Sequence, residues 1–509
     1  MTDIVTGIGG VSANAESYST HAYDLFYDPI LNDSFGEPIE EEYRPVSQFA
    51  GENGVPYQFR IRAEDNVFIR LDTARIEGDA KVVNEDTSDI DDWTLVDVPP
   101  APPPAGGGGN PQGGGGNPQG GGKPPAEGEA KAEAEGEENK KQQLNATCGW
   151  SVVNNIYAAL FSTISTKVED TDISDTTTAE NLFKSYLINL LSFEREFKNT
   201  YFSNPGIRWF ADSISGKNRK KIIDRAEFNG ENLKKHPFGL RKEDLTEWQP
   251  FSIPLLTDLT TTKKMLPPGK TMEITLGRSN PEFYMIQDAD TKDKKIVLKN
   301  VHLTFEKIPI HDVALAEFQR TIKLKPMKMH FSMNRMKPYT VSPGNTDWGQ
   351  YEFHHGVLPR AVYICFQDQK TYRGDRTTNP YVFHTPILDQ AQLIWDNKSH
   401  PNIPWTNRKD RGKKVKLYND FVRNTGGNVL ESTSVPVSYN EYYLNNFILA
   451  WDRSKKRDNG FRPQKGEIGR MSINLKVKEA ATETMVVIVM MTFDSVLKFE
   501  DGTAIVDKL

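Results

Sequence analysis

The chain has 509 residues, enough for two or three domains of ordinary size. Its 37% hydrophobic and 26% charged residues make it somewhat less apolar than an average globular domain, in part because of a stretch rich in Gly, Pro and Glu. A net charge of −7 excludes an overall electrostatic attraction to nucleic acid or to an anionic membrane. The longest strongly apolar run, Met485 to Met491, is too short to span a bilayer, and no charged and hydrophobic leader precedes Arg44, so neither a membrane span nor secretion is expected.

The first part of the chain divides into an arm, a β-rich stretch and an insert. Residues 1–55 are rich in Asp, Glu, Ser and Pro, which predicts a flexible arm without its own core. From Tyr57 onward, VPYQFRIRA and FIRLDTARIEGDAKVV alternate apolar and polar residues as half-buried strands do. Residues 99–143 are rich in Gly, Pro and Glu and repeat GGGGNPQ at 106–119, which predicts a disordered loop inserted in the first β domain.

One segment of the first half has helical periodicity. In TAENLFKSYLINLLSF, five apolar residues fall at helical spacing: Phe183, Tyr186, Leu187, Leu190 and Leu191. The segments MEITLGR, EFYMIQ and KKIVLKNVHLTFEKI then return to a period of two. The first half is therefore expected to contain one helix among many strands.

After His311 the β pattern restarts, in MKMHFSM, RAVYICFQ, QAQLIW, NLKVK and MVVIVMMTFDSVLKF. The run from Met485 to Phe493 is almost continuously apolar, which indicates a strand buried on both faces. Many short strands with few short helices predict an all-β fold of two β-sandwiches, the first at 56–310 and the second at 311–509.

Three loops have part of a ligand-binding pattern. PPGKT at Pro267–Thr271 resembles the end of a phosphate-binding loop, but Lys264 stands where the loop needs a glycine. Asp170–Asp175 and Asp288–Asp293 place carboxylates at alternate positions, yet both lack the glycine of a calcium loop. A phosphate site is therefore not expected at Pro267–Thr271, and solvated turns are expected at the two acidic loops.

Histidines and cysteines give no metal pattern. His354 and His355 are adjacent, so on a strand they point to opposite faces. Cys148 and Cys365 are far apart, and Cys365 lies in an apolar run, which indicates a buried thiol and a reducing compartment. We therefore predict no catalytic, cofactor-binding or metal-ligating residue and no enzyme activity.

The charged surface has three basic runs and one short motif. The runs, at Gly216–Lys221, Arg408–Lys414 and Arg453–Arg457, are interpreted as solvated loops, with phosphate contact as the alternative. The tripeptide RGD at Arg373–Asp375 is interpreted as an exposed loop, with a receptor ligand as the alternative.

The order of several segments resembles the double jelly-roll (hexon-like) major capsid proteins of Polinton/Maverick elements and adintoviruses. The segments are FIRLDTARIEGDAKVV, VVNNIYAALFSTISTKVED, NLFKSYLINLLSF, GVLPRAVYICFQDQKTYRGDRTTNPYVF with its turn at Asn379, Pro380 and Tyr381, and VIVMMTFDSVLKFE. The resemblance spans residues 57 to 505 without the insert. The insert and the basic stretch near Arg408 depart from the family pattern.

The resemblance implies two tandem jelly rolls and a structural role. Three chains would form a pseudo-hexagonal capsomer of an icosahedral double-stranded DNA virus or virus-like mobile element. The partners would be neighbouring capsomers and penton or minor capsid proteins, with no sequence-specific nucleic acid and no cofactor. The protein would be made in the host cytoplasm or nucleus and would reside in the virion.

Two other functions fit parts of the pattern. A penton-type or attachment protein of a virion is one alternative, but a penton needs only one jelly roll. A carbohydrate-binding or hydrolysing β-sandwich protein is the other, and it would need clustered carboxylates beside aromatic platforms. Aromatic residues at 10% allow the platforms, whereas clustering in space cannot be deduced from the sequence.

Overall fold

The structure is a computed structural model. It describes residues 35–47, 54–85, 150–174, 180–209, 245, 247–287, 292–395, 397–408, 411–426, 435, 437–454, 466–500 and 503–508. The predicted insert at 99–143, the basic run Gly216–Lys221, Cys148 and most of the predicted arm lie outside the described residues.

The described residues of the first half form eleven strands and four helices. The strands are β1 (Ile39–Tyr43), β2 (Tyr57–Arg62), β3 (Val67–Asn84), β4 (Trp150–Val152), β5 (Phe161–Val168), β6 (Thr171–Asp172), β7 (Gln249–Pro254), β8 (Met265–Leu266), β9 (Thr271–Arg278), β10 (Met285–Gln287) and β11 (Lys294–Pro309). The helices are α1 (Ile156–Ala159), α2 (Asn181–Ser192), α3 (Arg195–Thr200) and α4 (Pro281–Tyr284).

In the second half, nine strands and four helices are formed by the residues that the structure describes. The strands are β12 (Met327–Val341), β13 (Gln350–Val357), β14 (Ala361–Asp368), β15 (Leu388–Trp395), β16 (Lys398–Trp405), β17 (Leu449–Asp452), β18 (Ile468–Val477), β19 (Met485–Glu500) and β20 (Thr503–Lys508). The helices are α5 (Asp312–Leu324), α6 (Gln369–Arg373), α7 (Arg411–Asn424) and α8 (Tyr439–Leu444).

The two halves have the same sheet topology. In the first half the sheets run β1-β11-β3-β7 and β2-β9-β5-β6, and in the second half β12-β19-β14-β17 and β13-β18-β15-β16. If the eight strands of these two sheets are numbered in chain order within each half, both halves have one sheet with the order 1-8-3-6 and one with the order 2-7-4-5. This is the strand order of a jelly roll. The all-β prediction of two tandem jelly rolls is therefore confirmed.

The extra strands are attached at the margins. β8 pairs with β3, β20 pairs with β19, and β4 and β10 form a separate two-stranded sheet. Every described sheet takes its strands from one side of residue 311 only. The exact domain boundaries, at 56–310 and 311–509, remain predictions.

One strand lies where the arm was predicted. Residues 39–43 form β1, which pairs antiparallel with β11 from Ile39 opposite Lys307 to Tyr43 opposite Leu303. Its sequence, IEEEY, has apolar residues only at its ends, and only its Tyr43 packs against the core. The prediction of a structureless arm is therefore wrong for these residues.

The predicted helix is present as α2, and its apolar stripe is buried. Two longer helices were not predicted. α5 follows the last strand of the first half and buries Ala314 and Phe318, and α7 begins inside the basic run at Arg411 and buries Leu417 and Phe421. The solvated-loop interpretation of that run is wrong from Arg411 onward, because these apolar residues at i and i+4 fold it as a helix.

Candidate functional site

Helix α2 lies at the junction between the two jelly rolls. The ring of Tyr186 on α2 stacks on the ring of Tyr381 in the second half, with centroids 4.0 Å apart and planes 4° apart. The Tyr381 hydroxyl donates to the Leu182 carbonyl at 3.0 Å, and Phe183 stacks on Tyr372 at 5.2 Å. The predicted helix and the predicted turn at Asn379 to Tyr381 therefore meet, and they join the two rolls.

A buried ion pair fixes the same junction. Lys184 Nζ on α2 lies 2.7 Å from Asp258 Oδ1 in the loop between β7 and β8, and their side chains are only 10% and 1% exposed. The backbone N–H of Asn334, on β12, donates to the same carboxylate oxygen at 3.1 Å. One carboxylate therefore ties α2 and the β7–β8 loop to the second roll, and losing either charge would leave the other one buried and uncompensated.

A second polar group lies on the outer face of β12, β14 and β19. Arg360 Nε lies 3.1 Å from the buried Asp494 carboxylate, and Arg360 Nη2 donates to Ser332 Oγ at 3.4 Å. The Thr492 hydroxyl donates to the Asn334 side-chain oxygen at 2.8 Å. This sheet face carries polar and charged side chains because it packs against the first roll and not against its own core.

A third set of contacts joins the β10–β11 region to the loop after α6. Arg376 Nη2 lies 2.7 Å from Glu85 Oε2, and the same guanidinium also pairs with Asp293. The Gln287 N–H donates to the Arg376 carbonyl at 2.7 Å. The contacts of α2, of Asp258 and of Arg376 therefore link the two rolls.

The described residues of the ligand-like loops make structural contacts, while Asp175 and residues 288–291 lie outside the described part of the chain. Gly269 has φ +74°, and its N–H donates to the Ala63 carbonyl at 3.1 Å, so this N–H is already used within the chain. Asp172 pairs with Lys167 at 3.4 Å, and Asp293 pairs with Arg376. Within the described part of the chain, no group of three or more His, Cys, Asp or Glu residues could hold a metal ion.

The predicted histidine and cysteine positions lie in the second roll. His354 Nε2 is 2.8 Å from the Val357 carbonyl, its ring is 5.5 Å from the ring of Phe493, and His355 is exposed. Cys365 is buried on β14, and burial raises the pKa of its thiol. A protonated, enclosed thiol has no nucleophilic role.

The RGD tripeptide follows α6, and its aspartate is turned inward. Only 8% of the Asp375 side chain is exposed, and its carboxylate accepts from Thr377 N at 3.0 Å and pairs with Lys370 Nζ at 2.8 Å. Burial raises the pKa of Asp375, but the hydrogen bonds from Lys370 and Thr377 outweigh burial and lower it. Arg373 is exposed and Asp375 is half-buried, and the contacts with Lys370 and Thr377 leave no free carboxylate at Asp375 for a receptor.

The basic runs that the structure describes are partly paired. Arg408 Nε lies 2.7 Å from Asp389, and Arg453 Nη2 lies 3.0 Å from Glu467. The lysines Lys413 and Lys416 of α7 are exposed. Residues 409–410 and 455–457 of these runs lie outside the described residues, and the described remainder is solvated surface with local ion pairs.

Large apolar side chains are exposed on both edges of one sheet. Tyr351 is 83% exposed on β13 and Ile403 is 70% exposed on β16, and these two strands are the edges of the sheet β13-β18-β15-β16. Edge strands with apolar side chains are normally covered by another surface. Both edges are therefore candidate contact surfaces. Among the described residues, no helix is long and apolar enough to cross a membrane.

The chain was compared with known protein families, curated proteins and solved structures. No model of a known protein family matches the chain, and the search of curated proteins finds no match. A chain from the cryo-EM structure of the Sputnik virophage matches at a TM-score of 0.56 and 11% identity, over 96% of this chain and 91% of that one. The Faustovirus major capsid protein matches at 0.54 and 8%, over 98% of both chains.

VP54 of the virus PBCV-1, as fitted into a reconstruction of Sputnik, matches at a TM-score of 0.50 and 8% identity, over 94% of this chain and 99% of that one. At such identities the likeness concerns the fold. The chain has the double jelly-roll fold, and the likeness extends over nearly its whole length.

Proposed function

We propose that the chain is a major capsid protein, the structural building block of an icosahedral double-stranded DNA virus or virus-like mobile element. The main observation is the pair of jelly rolls with identical strand order, held together at the junction. The Faustovirus major capsid protein shares this architecture over 98% of both chains. The motif order resembling Polinton/Maverick and adintovirus capsid proteins supports the same function.

We further infer that three chains assemble into one capsomer. Three copies of two similar rolls provide six similar units around an axis, which is a pseudo-hexagonal outline. Permanent interfaces bury more than about 2,000 Å², and the exposed edges β13 and β16 offer surface for such contacts. Neighbouring capsomers and penton or minor capsid proteins would be the further partners, in a virion made in the host cytoplasm or nucleus.

The test is the mass and outline of the purified full chain. Sedimentation should give a mass near three times 57.5 kDa, and negative-stain images should show pseudo-hexagonal particles. A stable monomer at micromolar concentration would contradict the proposal. An enzyme or a carbohydrate-binding sandwich requires no such particle, so the outline separates these alternatives.

A double variant tests whether the edge strands form the interface between chains. Tyr351→Asp together with Ile403→Asp places charges on both edges, and we expect the trimer to dissociate while the secondary structure stays intact, because both side chains are exposed in the single chain. Lys476→Glu, at an exposed position of the interior strand β18, is the matched control and should leave the trimer intact. An unchanged trimer in the double variant would remove the edges from the proposed interface.

A further inference from the structure

A cavity of about 630 Å³ lies at the junction between the two jelly rolls. This volume falls within the range of about 300–1,000 Å³ that is usual for small-molecule sites. Its walls come from α2, from the loop between β7 and β8, and from the outer face of β12, β14 and β19. The cavity therefore belongs to both rolls and exists only when they are joined.

One side of the cavity is cationic. Lys263, Lys264, His330 and Arg360 line it, and no carboxylate is among its lining residues. Arg360 is already paired with Asp494, whereas neither lysine pairs with a carboxylate among the described residues. An anion entering the cavity would therefore meet two lysine charges that have no partner of opposite sign among the residues that the structure describes.

The pKa of His330 is lowered in this environment. Burial lowers the pKa of His330, and the neighbouring Lys264 and Lys328 lower it further, against a smaller opposing effect of Asp494. The hydroxyl of Ser332, one strand alternation away on β12, accepts from Arg360 at 3.4 Å and keeps its own proton for a ligand oxygen. The wall thus offers charge and a hydrogen-bond donor side by side.

Other residues that line the cavity are apolar. Leu187, Ile188 and Leu191 on α2 line it, at the spacing that puts them on one helix face. Met490 and Tyr363, from β19 and β14, extend the apolar surface. A purely inorganic anion would leave this surface without contact, while a hydrocarbon chain would remove it from water.

We propose that this cavity binds an amphiphilic anion, in which a carboxylate or phosphate monoester contacts Lys263, Lys264 and Ser332 and an apolar chain lies along α2. The ligand would bridge the two rolls and stabilise the junction by binding only the folded protein. The proposal goes beyond the capsid function and does not depend on it, because the site is complete within one chain.

The first experiment measures binding of four probes to the full-length protein by isothermal titration, below the micellar concentration of each probe. Dodecanoate and dodecyl phosphate carry the two possible head groups, dodecanol lacks the charge and inorganic phosphate lacks the chain. We expect both amphiphilic anions to bind at least about tenfold more tightly than either control, a tenfold ratio being about 1.4 kcal/mol. Equal binding of dodecanol, or of inorganic phosphate, would overturn the proposal.

The second experiment locates the site with variants whose circular dichroism matches the wild type. Lys263→Glu with Lys264→Glu should weaken dodecanoate binding by about tenfold or more, and Ile188→Gln should also weaken it. Lys398→Glu changes an exposed lysine that does not line the cavity, so its affinity should equal that of the wild type. If the lysine pair and the control bind dodecanoate equally, the site is not this cavity.

Discussion

The two jelly rolls differ most clearly at their eighth strands, β11 in the first roll and β19 in the second. Both lie in the interior of their sheets, β11 between β1 and β3 and β19 between β12 and β14. Along β11 buried and half-exposed residues alternate over most of the strand, whereas residues 485–497 of β19 are all buried. The same topological position therefore has one covered face in the first roll and two in the second.

The difference follows from the junction. The inner face of β19 packs in its own core, where Phe493 meets His354 of the opposite sheet. Its outer face carries Met490, Thr492 and Asp494 and is covered by elements of the first roll. The equivalent face of β11 carries Lys299 and Glu306, which are partly exposed. The second roll thus depends on the first for part of its burial, and substitutions in β19 and at the junction test this asymmetry.

The largest effect is expected for Val487→Asp in β19. Val487 is fully buried, so the variant places an unpaired charge in the core at a cost of several kcal/mol, and the protein should be insoluble or unassembled. Val297→Asp, at a half-buried position of β11, is the matched substitution and should express as soluble protein. Equal solubility of the two variants would remove the proposed contrast between the strands.

The second-largest effect on the free energy of unfolding is expected for Asp258→Ala at the junction. The variant leaves Lys184 buried without its partner and deprives the Asn334 N–H of its acceptor, which should cost about 3–5 kcal/mol. Asp172→Ala breaks the exposed Lys167–Asp172 pair of the first roll and should cost less than about 1 kcal/mol. Urea unfolding measures both, and similar midpoints would argue against an energetic role of the junction.

A pH-dependent effect is expected at Lys198 on α3. Burial, with a contribution from Arg195, lowers the pKa of Lys198 to about 7, and its Nζ donates to the Leu190 carbonyl at 2.6 Å. Above this pKa the unfolded chain still holds the proton, because the ordinary lysine pKa is 10.5. Wild-type unfolding free energy should therefore rise from pH 7 to pH 9 relative to Lys198→Met. Parallel curves for the two proteins would show that Lys198 does not titrate in this range.

The smallest effect is expected from shortening the insert. The predicted loop at 99–143 falls between β3 and β4 and lies outside the described residues. Loop-closure free energy changes by only about 0.6 kcal/mol for each doubling of loop length. Replacing Gly106–Glu137 by a short Gly/Ser linker should leave the melting temperature and the assembled mass nearly unchanged. Loss of assembly would instead assign the insert a role in contacts between chains.

Elements with strong periodicity were predictable from the sequence. The spacing of apolar residues in α2, from Phe183 to Leu191, and their continuous run in β19 were enough to predict that these residues are buried. The restart of the β pattern after His311 likewise predicted a second sandwich. β1 was not predicted, because a five-residue strand with three glutamates owes its pairing to β11 and not to its own pattern.

The junction was only partly predictable. The aromatic residues Tyr186 and Tyr381 belong to the segments that carry the family resemblance, yet nothing in their spacing indicates that their rings stack. The pair Lys184 and Asp258 joins residues far apart in the chain, and a lysine on an otherwise apolar helix face gives no sign of its partner. The cavity beside them arises from two separate rolls, so no local pattern marks it.

The position of β19 in its sheet has a consequence for synthesis on the ribosome. The first roll has all its strands once residue 309 has emerged, and it can close while the rest of the chain is still being made. The second roll lacks the strand between β12 and β14 until residues 485–500 emerge. During that interval the apolar strands β12 and β14 have no partner between them, which is the kind of nascent chain that chaperones bind and that aggregates when translation stalls.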